Sequence, residues 1–369
     1  MKHELLRTPY FLIDREKIQA NCRRVIKKAN ELGVQLRPHV KTHKTIEGAL
    51  LQHGDQTGPI AVSTLAEAYF FAEHGFDDII YGFPITPDKF ADVVKLSRRS
   101  IFAVVTDSEQ IIQQLNAYLE EWNIHLPVYL KIDAGASRAG FHHSHHDDIA
   151  SAARLVRQLD KVKLQGVLVH AHHSYAAKSA DEAISYIQQE NQNLSRLITA
   201  LSNHGITIPV VSTGSTPTTL HQSEAGASTE IRPGNYTLYD RFQSDIGSCR
   251  REDIAGFVVA TVAGHYPERN QMLIDAGALA FSKDRGAVHL RDSVTYGEAF
   301  DHPELQVQEI SQEHGLVGSE SPIPFDQFPI GSQIKFIPNH SCLAAACFET
   351  YYIEEDGQLI DTWKPVKGW

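Results

Sequence analysis

Cysteine is scarce in this chain: four residues in 369, Cys22, Cys249, Cys342 and Cys347, with no CxxC pair among them. Such spacing argues against a disulfide framework, and a reducing cytoplasm is the expected compartment. Positive charge is also in short supply. Lys and Arg total 34 against 45 Asp and Glu, a formal charge of −11 with no Lys/Arg-rich cluster. A surface of that sign repels nucleic acid and acidic membrane, so an anionic ligand needs a locally positive site. No apolar leader and no uninterrupted apolar run of spanning length occurs, and no membrane partner is expected. Repeats of 20–50 residues and low-complexity linkers are missing too. What remains is ordinary globular composition, 42% hydrophobic and 21% charged, in a chain long enough for a barrel plus an appended module.

The pattern begins at Asp14, which can cap a helix. Ile18, Cys22, Val25, Ile26, Ala29 and Leu32 follow at helical spacing, and Gly33 ends the run. A short apolar stretch, 34–40, comes next, and strand candidates recur at 60–63, 78–82, 101–105, 128–132, 164–170, 208–212 and 230–232. Amphipathic segments lie between most of them. Eight short apolar strands alternating with helices in about 250 residues predict parallel strands joined by right-handed crossovers. The expected fold class is therefore α/β, an eight-stranded (β/α)8 TIM-type barrel over 8–252; an open doubly wound sheet is the alternative. From 253 the texture changes to strands at 256–264, 271–279, 333–337 and 348–353 without intervening helices. That predicts a C-terminal β domain over 253–369.

Barrels of this kind bind ligands where the strands end at their carboxyl edge. Strand one ends Arg37-Pro38-His39-Val40-Lys41-Thr42-His43-Lys44. Lys41, enclosed in a barrel mouth, can act as an amine nucleophile; taken alone it reads more readily as a solvated charge. Strand five leads into a Gly-rich loop holding Arg138, which can hold an anionic oxygen or serve as an ion-pair partner. Strand six ends at His170, with Tyr175 just beyond. Strand seven ends Ser212-Thr213-Gly214-Ser215-Thr216, and strand eight is followed by Pro233-Gly234-Asn235-Tyr236. Small hydroxyl residues and glycines there let backbone N–H groups approach a phosphate, although ordinary turns look similar. An amine, an arginine, a His/Tyr pair and a phosphate cradle on one rim suit pyridoxal 5'-phosphate.

Three segments carry a family likeness: Arg37-Pro38-His39-Val40-Lys41-Thr42-His43-Lys44, Ile231-Arg232-Pro233-Gly234-Asn235-Tyr236 and Pro338-Asn339-His340-Ser341-Cys342. The chain resembles the alanine-racemase-type (fold type III) pyridoxal-phosphate enzymes, in their D-serine dehydratase / D-threonine aldolase branch, over nearly its whole length. The resemblance implies that Lys41 is the Schiff-base lysine, that His170 lies against the cofactor ring, and that Tyr175 is catalytic. It places Thr213, Gly214, Ser215, Gly234 and Asn235 at phosphate positions, and Arg138 and Arg232 at ring substituents or the ring nitrogen. It further implies that residues 1–7 join the β domain and that the protein is a homodimer. The second acid/base that racemases draw from a partner subunit has no counterpart that can be placed, which counts against racemisation.

His340 and Cys342 follow the strand at 333–337. In an extended segment, residues two apart share a face and can meet one ion, and an imidazole with a thiolate suits zinc. Spacing alone also fits a buried Cys beside a polar His. By resemblance the pair binds a divalent metal that touches substrate. Loss of a β-hydroxyl must expel hydroxide, and a Lewis acid assists that departure. Cys342, where a carboxylate commonly accompanies retro-aldol cleavage, tilts the expectation to a dehydratase of D-3-hydroxy amino acids, D-serine to pyruvate and ammonia above all. D-threonine aldolase is the alternative. A barrel that binds the cofactor without catalysis is disfavoured by the β domain and the His340/Cys342 pair.

Overall fold

The computed structural model describes residues 6–369 apart from Ala136, Ala171, Asp292 and the side chains of His172, His173 and Ala180. Strand β1 (Tyr10–Asp14) ends at Asp14, whose Oδ1 accepts from Lys17 N at 3.1 Å and starts the helix Arg15–Leu32. Ile18, Cys22, Val25 and Ala29 form its buried stripe. At Gly33 the backbone turns left-handed, φ +65°, and the helix stops.

The chain forms two compact units. One comprises 22–234 with 366–369; the other comprises the chain up to residue 21 with 235–365. Those divisions differ from the sequence expectation of a cut at 252/253 with only 1–7 in the β domain. The reason is β1, which pairs within the second unit, and the segment after Gly234, which also packs there.

In the first unit, β2 (Gln35–Leu36), β3 (Ile60–Val62), β4 (Asp78–Pro84), β5 (Ile101–Thr106), β6 (Leu126–Asp133), β7 (Phe141–His142), β8 (Val162–Val169), β9 (Val210–Thr213) and β10 (Glu230–Ile231) form one parallel sheet. Its order is β2-β10-β9-β8-β6-β5-β4-β3, with the two-residue β7 beside β6. A single parallel bridge, His39 to Ala61, joins the chain just after β2 to β3. Strand one is shorter than expected. Pro38 interrupts it, and residues 40–42 turn into a 3₁₀ segment, although Arg37 N and His39 N still bond Ile231 O and Pro233 O.

Alternation along these strands sorts the core. Ile79, Val104, Val128, Leu130, Val167 and Val169 face the helices in a large cluster, whereas Ile80, Ala103, Val105, Tyr129 and Leu168 form a small cluster on the opposite face. Lys131, two beyond Tyr129, and His170, two beyond Leu168, continue that second face toward the strand ends.

The second unit is a sheet of β1, β11 (Gly256–Tyr266), β12 (Gln271–Ile274), β13 (Gly297–Ala299), β14 (Gln306–Ile310), β15 (Gly315–Gly318), β16 (Gln333–Pro338), β17 (Tyr351–Glu355) and β18 (Gln358–Trp363). The order β12-β15-β14-β13-β16-β11 is closed by a β11–β12 pairing into an antiparallel barrel; β1, β17 and β18 extend it. Short helices Ala278–Phe281 and Ser341–Ala346 interrupt what the sequence suggested was strand and turn alone. No helix among the described residues is long and apolar enough to cross a membrane.

Candidate active site

Lys41 sits in the 3₁₀ turn Val40–Thr42, and the turn is fixed by histidines on both sides. His39 Nδ1 accepts from Lys41 N at 3.3 Å while its Nε2 meets Ser63 Oγ at 3.3 Å. Those bonds make His39 the neutral Nε2–H tautomer. Burial and the neighbouring Lys41 charge agree, holding it well below the usual imidazole range. His43 is fully buried; its Nδ1 accepts from Thr45 N at 3.1 Å and its Nε2 bonds Gln52 Oε1 at 3.1 Å. Burial lowers it to about 4. The turn is thus locked by uncharged rings. Lys44, three residues on, pairs with buried Glu67 at 2.9 Å.

Beneath the turn runs a polar chain on the inner face of the strands. Arg37 pairs with Asp78 at 2.6 Å and with Glu230 at 2.7 Å. Glu230 accepts from Ser212 Oγ, Arg232 Nε donates to Ser212 Oγ at 2.7 Å, and Arg232 Nη2 donates to Val169 O. Five strands or strand ends are linked by this one path. Burial lowers Arg232 to about 10, with Glu230 opposing, so it stays charged at neutral pH. Its bond to Val169 O also fixes the backbone that presents His170.

His170 lies well below the usual imidazole range, first because it is buried and then because of Lys41, Lys131, Arg232 and Arg138. Tyr175, half-buried, faces it with ring centroids 6.3 Å apart. Arg138 is exposed on the loop after β6. Lys131 is the group that the sequence reading passed over: burial, with Arg232 and Arg138, lowers it to about 7. Lys41, Arg232 and Arg138, with a Lys131 whose own charge is weakened, thus bear on one imidazole in a chain of net charge −11.

At the ends of β9 and β10 the small residues gather as expected. Thr213 Oγ1 meets Ser228 Oγ at 2.8 Å. Gly214 takes φ +110°, and Ser215 caps the helix Thr216–His221 while its Oγ meets Ser174 Oγ at 3.0 Å. Thr219 Oγ1 is buried with no hydrogen-bond partner, and a side chain at Gly214 would stand 3.5 Å from it. An unsatisfied buried hydroxyl beside a glycine turn fits the phosphate of pyridoxal phosphate. Gly234 has a different neighbour: a Cβ there would lie 2.9 Å from His39 O and 3.0 Å from His39 Cβ. Its missing side chain makes room for the Lys41 turn.

In the second unit, His340 and Cys342 are neighbours, but not through an extended segment. His340 is the N-cap of the helix Ser341–Ala346, and Cys342 lies in its first turn. Asp240 Oδ2 accepts from Ser341 N at 2.9 Å and so begins the helix there. Burial disfavours the His340 cation, yet Cys342 and then Asp284 outweigh it and hold the imidazole well above its usual range. An imidazole and a thiol at the start of one helix present a donor set that a divalent metal can take. Among the described residues no group of three or more His, Cys, Asp or Glu side chains is arranged to hold a metal. Two protein ligands would leave positions for water or substrate oxygens. Asn235, expected at the phosphate, turns its side chain to this cluster: Nδ2 lies 2.7 Å from Asp240, 3.1 Å from Ser341 Oγ and 3.6 Å from Cys342 Sγ. Asp240 and Asp284 gave no sequence signal, because each meets the pair only across 56 or more positions of chain.

Two family models match the chain. One is described as the alanine racemase N-terminal domain, over 13–241, and the other as a putative serine dehydratase domain, over 255–354. A D-serine dehydratase of Dictyostelium discoideum is 36% identical over 99% of this chain and 98% of its own length. The solved structure of D-threo-3-hydroxyaspartate dehydratase from Delftia sp. HT23 superimposes with TM-score 0.93 at 31% identity, covering 99% of this chain and 98% of that one. A cysteine-to-alanine variant of that enzyme has been solved in a metal-free form. A D-threonine aldolase of Arthrobacter sp. is more distant, 25% identical over 97% of this chain and 91% of its own.

Proposed function

The chain belongs to the family of pyridoxal-phosphate-dependent lyases that join an alanine racemase N-terminal domain to a serine dehydratase domain, and on that premise we propose that it dehydrates D-3-hydroxy amino acids, D-serine foremost, to a keto acid and ammonia. The observation that carries the choice of reaction is the placing of His340 and Cys342 together at the start of one helix, with Asp284 on the imidazole and Asn235 on the sulfur, a donor set for a divalent metal with zinc as its best match.

Lys41 carries the cofactor and is the base at the substrate Cα. Of the two lysines in the strand-one motif, Lys44 is withdrawn by Glu67, which leaves Lys41 as the motif's available amine. His170, kept neutral, would lie against the cofactor without adding charge, and Tyr175 beside it is the second group able to move a proton. Arg232, anchored on Ser212 and Val169, and Arg138, on its exposed loop, would supply the guanidiniums for the cofactor's ring substituents or an anionic oxygen. Thr213, Gly214 and Ser215 would hold the phosphate, and Gly234 and Asn235 are the further residues the family likeness assigns to it. Pyridoxal phosphate, when bound, supplies the sink for the electrons released at Cα. A metal on His340 and Cys342 supplies a Lewis acid for a departing β-hydroxyl.

The first unit is read as a closed eight-stranded barrel, supported by the His39–Ala61 bridge and the Arg37–Asp78 pair, which tie the first strand to the second and third. A homodimer in a reducing cytoplasm completes the reading; no disulfide links the four cysteines. Supplying D- and L-3-hydroxy amino acids in turn and measuring ammonia and keto acid tests it. D-serine should give both, L-serine neither, and ammonia-free turnover would remove the dehydratase.

A further inference from the structure

The ends of β16 and of the loop after Phe281 come together around His340. Asp284 Oδ2 lies 3.0 Å from His340 Nδ1, and its Oδ1 accepts from Gly286 N at 2.8 Å. Asn339, the residue before His340, donates from Nδ2 to Asp284 O at 3.0 Å and to Thr295 O at 2.5 Å. Asn339, next to His340 in the chain, thus ties down the Asp284 backbone and holds the carboxylate beside the imidazole. On the other side of the pair stands Asn235. Asp240, buried and accepting from Gln243 N and Ser341 N at 2.9 Å each, admits only donors, so it forces the Asn235 amide to present Nδ2 toward itself, Ser341 Oγ and Cys342 Sγ.

We infer that Asp284 and Asn235 are positioning residues for a metal held by His340 and Cys342: Asp284 takes the Nδ1–H of His340, so that Nε2 is the ligating nitrogen, and Asn235 donates to the Cys342 sulfur. The inference rests on the reading that the pair binds a metal. A ligating histidine whose other ring nitrogen donates to a carboxylate has its tautomer and ring plane set in advance, and its basicity raised; losing such a partner weakens metal binding by about 10–100-fold. A hydrogen bond to a thiolate orients its lone pairs and lowers its basicity, an effect of smaller size. Neither residue needs to touch substrate or cofactor for this role.

The test is zinc affinity by chelator competition on the cofactor-loaded full chain, with visible absorbance and thermal unfolding read on the same samples. Asp284→Ala should weaken zinc about 10–100-fold with the cofactor absorbance unchanged. Asp284→Asn, which keeps an acceptor without the charge, should weaken it less than Asp284→Ala but measurably, and it decides the matter if the alanine variant does not fold. Asn235→Ala should produce a smaller loss than Asp284→Ala. His340→Ala separates the two levels. If it leaves zinc affinity unchanged, the metal-pair reading itself is wrong. If it abolishes binding while both Asp284 variants bind as the wild type does, the pair stands and the positioning role is overturned.

Discussion

Lys44 Nζ stands 2.9 Å from Glu67 Oε1, and the other oxygen of that buried carboxylate accepts from Ser63 N at 2.8 Å. The motif around Lys41 contains two lysines three apart, and this pairing distinguishes them: one is a structural cation, the other is left for chemistry. Borohydride reduction of the loaded protein followed by peptide mapping should mark Lys41. Lys41→Ala should lose the visible absorbance of the bound cofactor, and Lys44→Ala should keep it. A mark on Lys44 or Lys131 would show that the amine has been misassigned.

Gly234 gives a second expectation, and the structure changes its form. The sequence suggests that a side chain there would take the phosphate's space, sparing the fold. The atoms it would meet are His39 O and Cβ, at 2.9 and 3.0 Å. Gly234→Ala should therefore push on the turn that carries Lys41, costing about 1–3 kcal/mol in urea unfolding as overpacking does, and weakening cofactor affinity together with it. Unchanged stability with weaker cofactor binding would restore the phosphate explanation.

The path Asp78–Arg37–Glu230–Ser212–Arg232 makes Glu230 the sole carboxylate between two buried guanidiniums in the contacts described. Glu230→Ala should cost about 3–5 kcal/mol, because it breaks a buried ion pair with Arg37, which keeps only Asp78, and removes the carboxylate that faces Arg232 through Ser212. The effect should reach cofactor binding too, since Arg232 holds the backbone before His170. A loss under 1 kcal/mol would mean that water enters this interior and replaces the carboxylate.

Acid should loosen the Lys41 turn. His43 is lowered from an ordinary value near 6.5 to about 4 by burial. Between those values the unfolded chain binds a proton that the folded one refuses, so stability is present above pH 6.5 and is lost as pH falls toward 4. In urea unfolding at a series of pH values, His43→Gln should show a shallower decline across this window, by up to about 1.4 kcal/mol per pH unit, one proton's worth. Parallel pH profiles for wild type and variant would show that His43 does not carry the transition.

Much of this was legible in the residues. Short apolar runs alternating with amphipathic segments placed the parallel strands, and strand-end residues such as Lys41, His170 and Ser215 marked the rim proposed to hold pyridoxal phosphate, because strand ends follow directly from strands. Two kinds of information were not legible. The membership of β1 in the second unit depends on pairing with β11 and β17, more than 240 residues away, and no local pattern encodes it. The environment of His340 likewise depends on Asp284 and Asp240, partners distant in sequence, and the helix beginning at Ser341 replaced the extended geometry that the two-residue spacing suggested. Lys131 escaped notice because a lysine inside a strand reads as an exposed position until burial and two arginines are seen around it.

The choice between dehydration and retro-aldol cleavage is tested most directly by the products formed from D-threonine. The account predicts 2-oxobutanoate and ammonia in equal amounts, with both lost on chelation and in Cys342→Ala while the visible absorbance of the bound cofactor persists. Glycine and acetaldehyde as the main products would contradict the dehydratase, and full keto-acid formation in metal-stripped protein would remove the role given to His340 and Cys342.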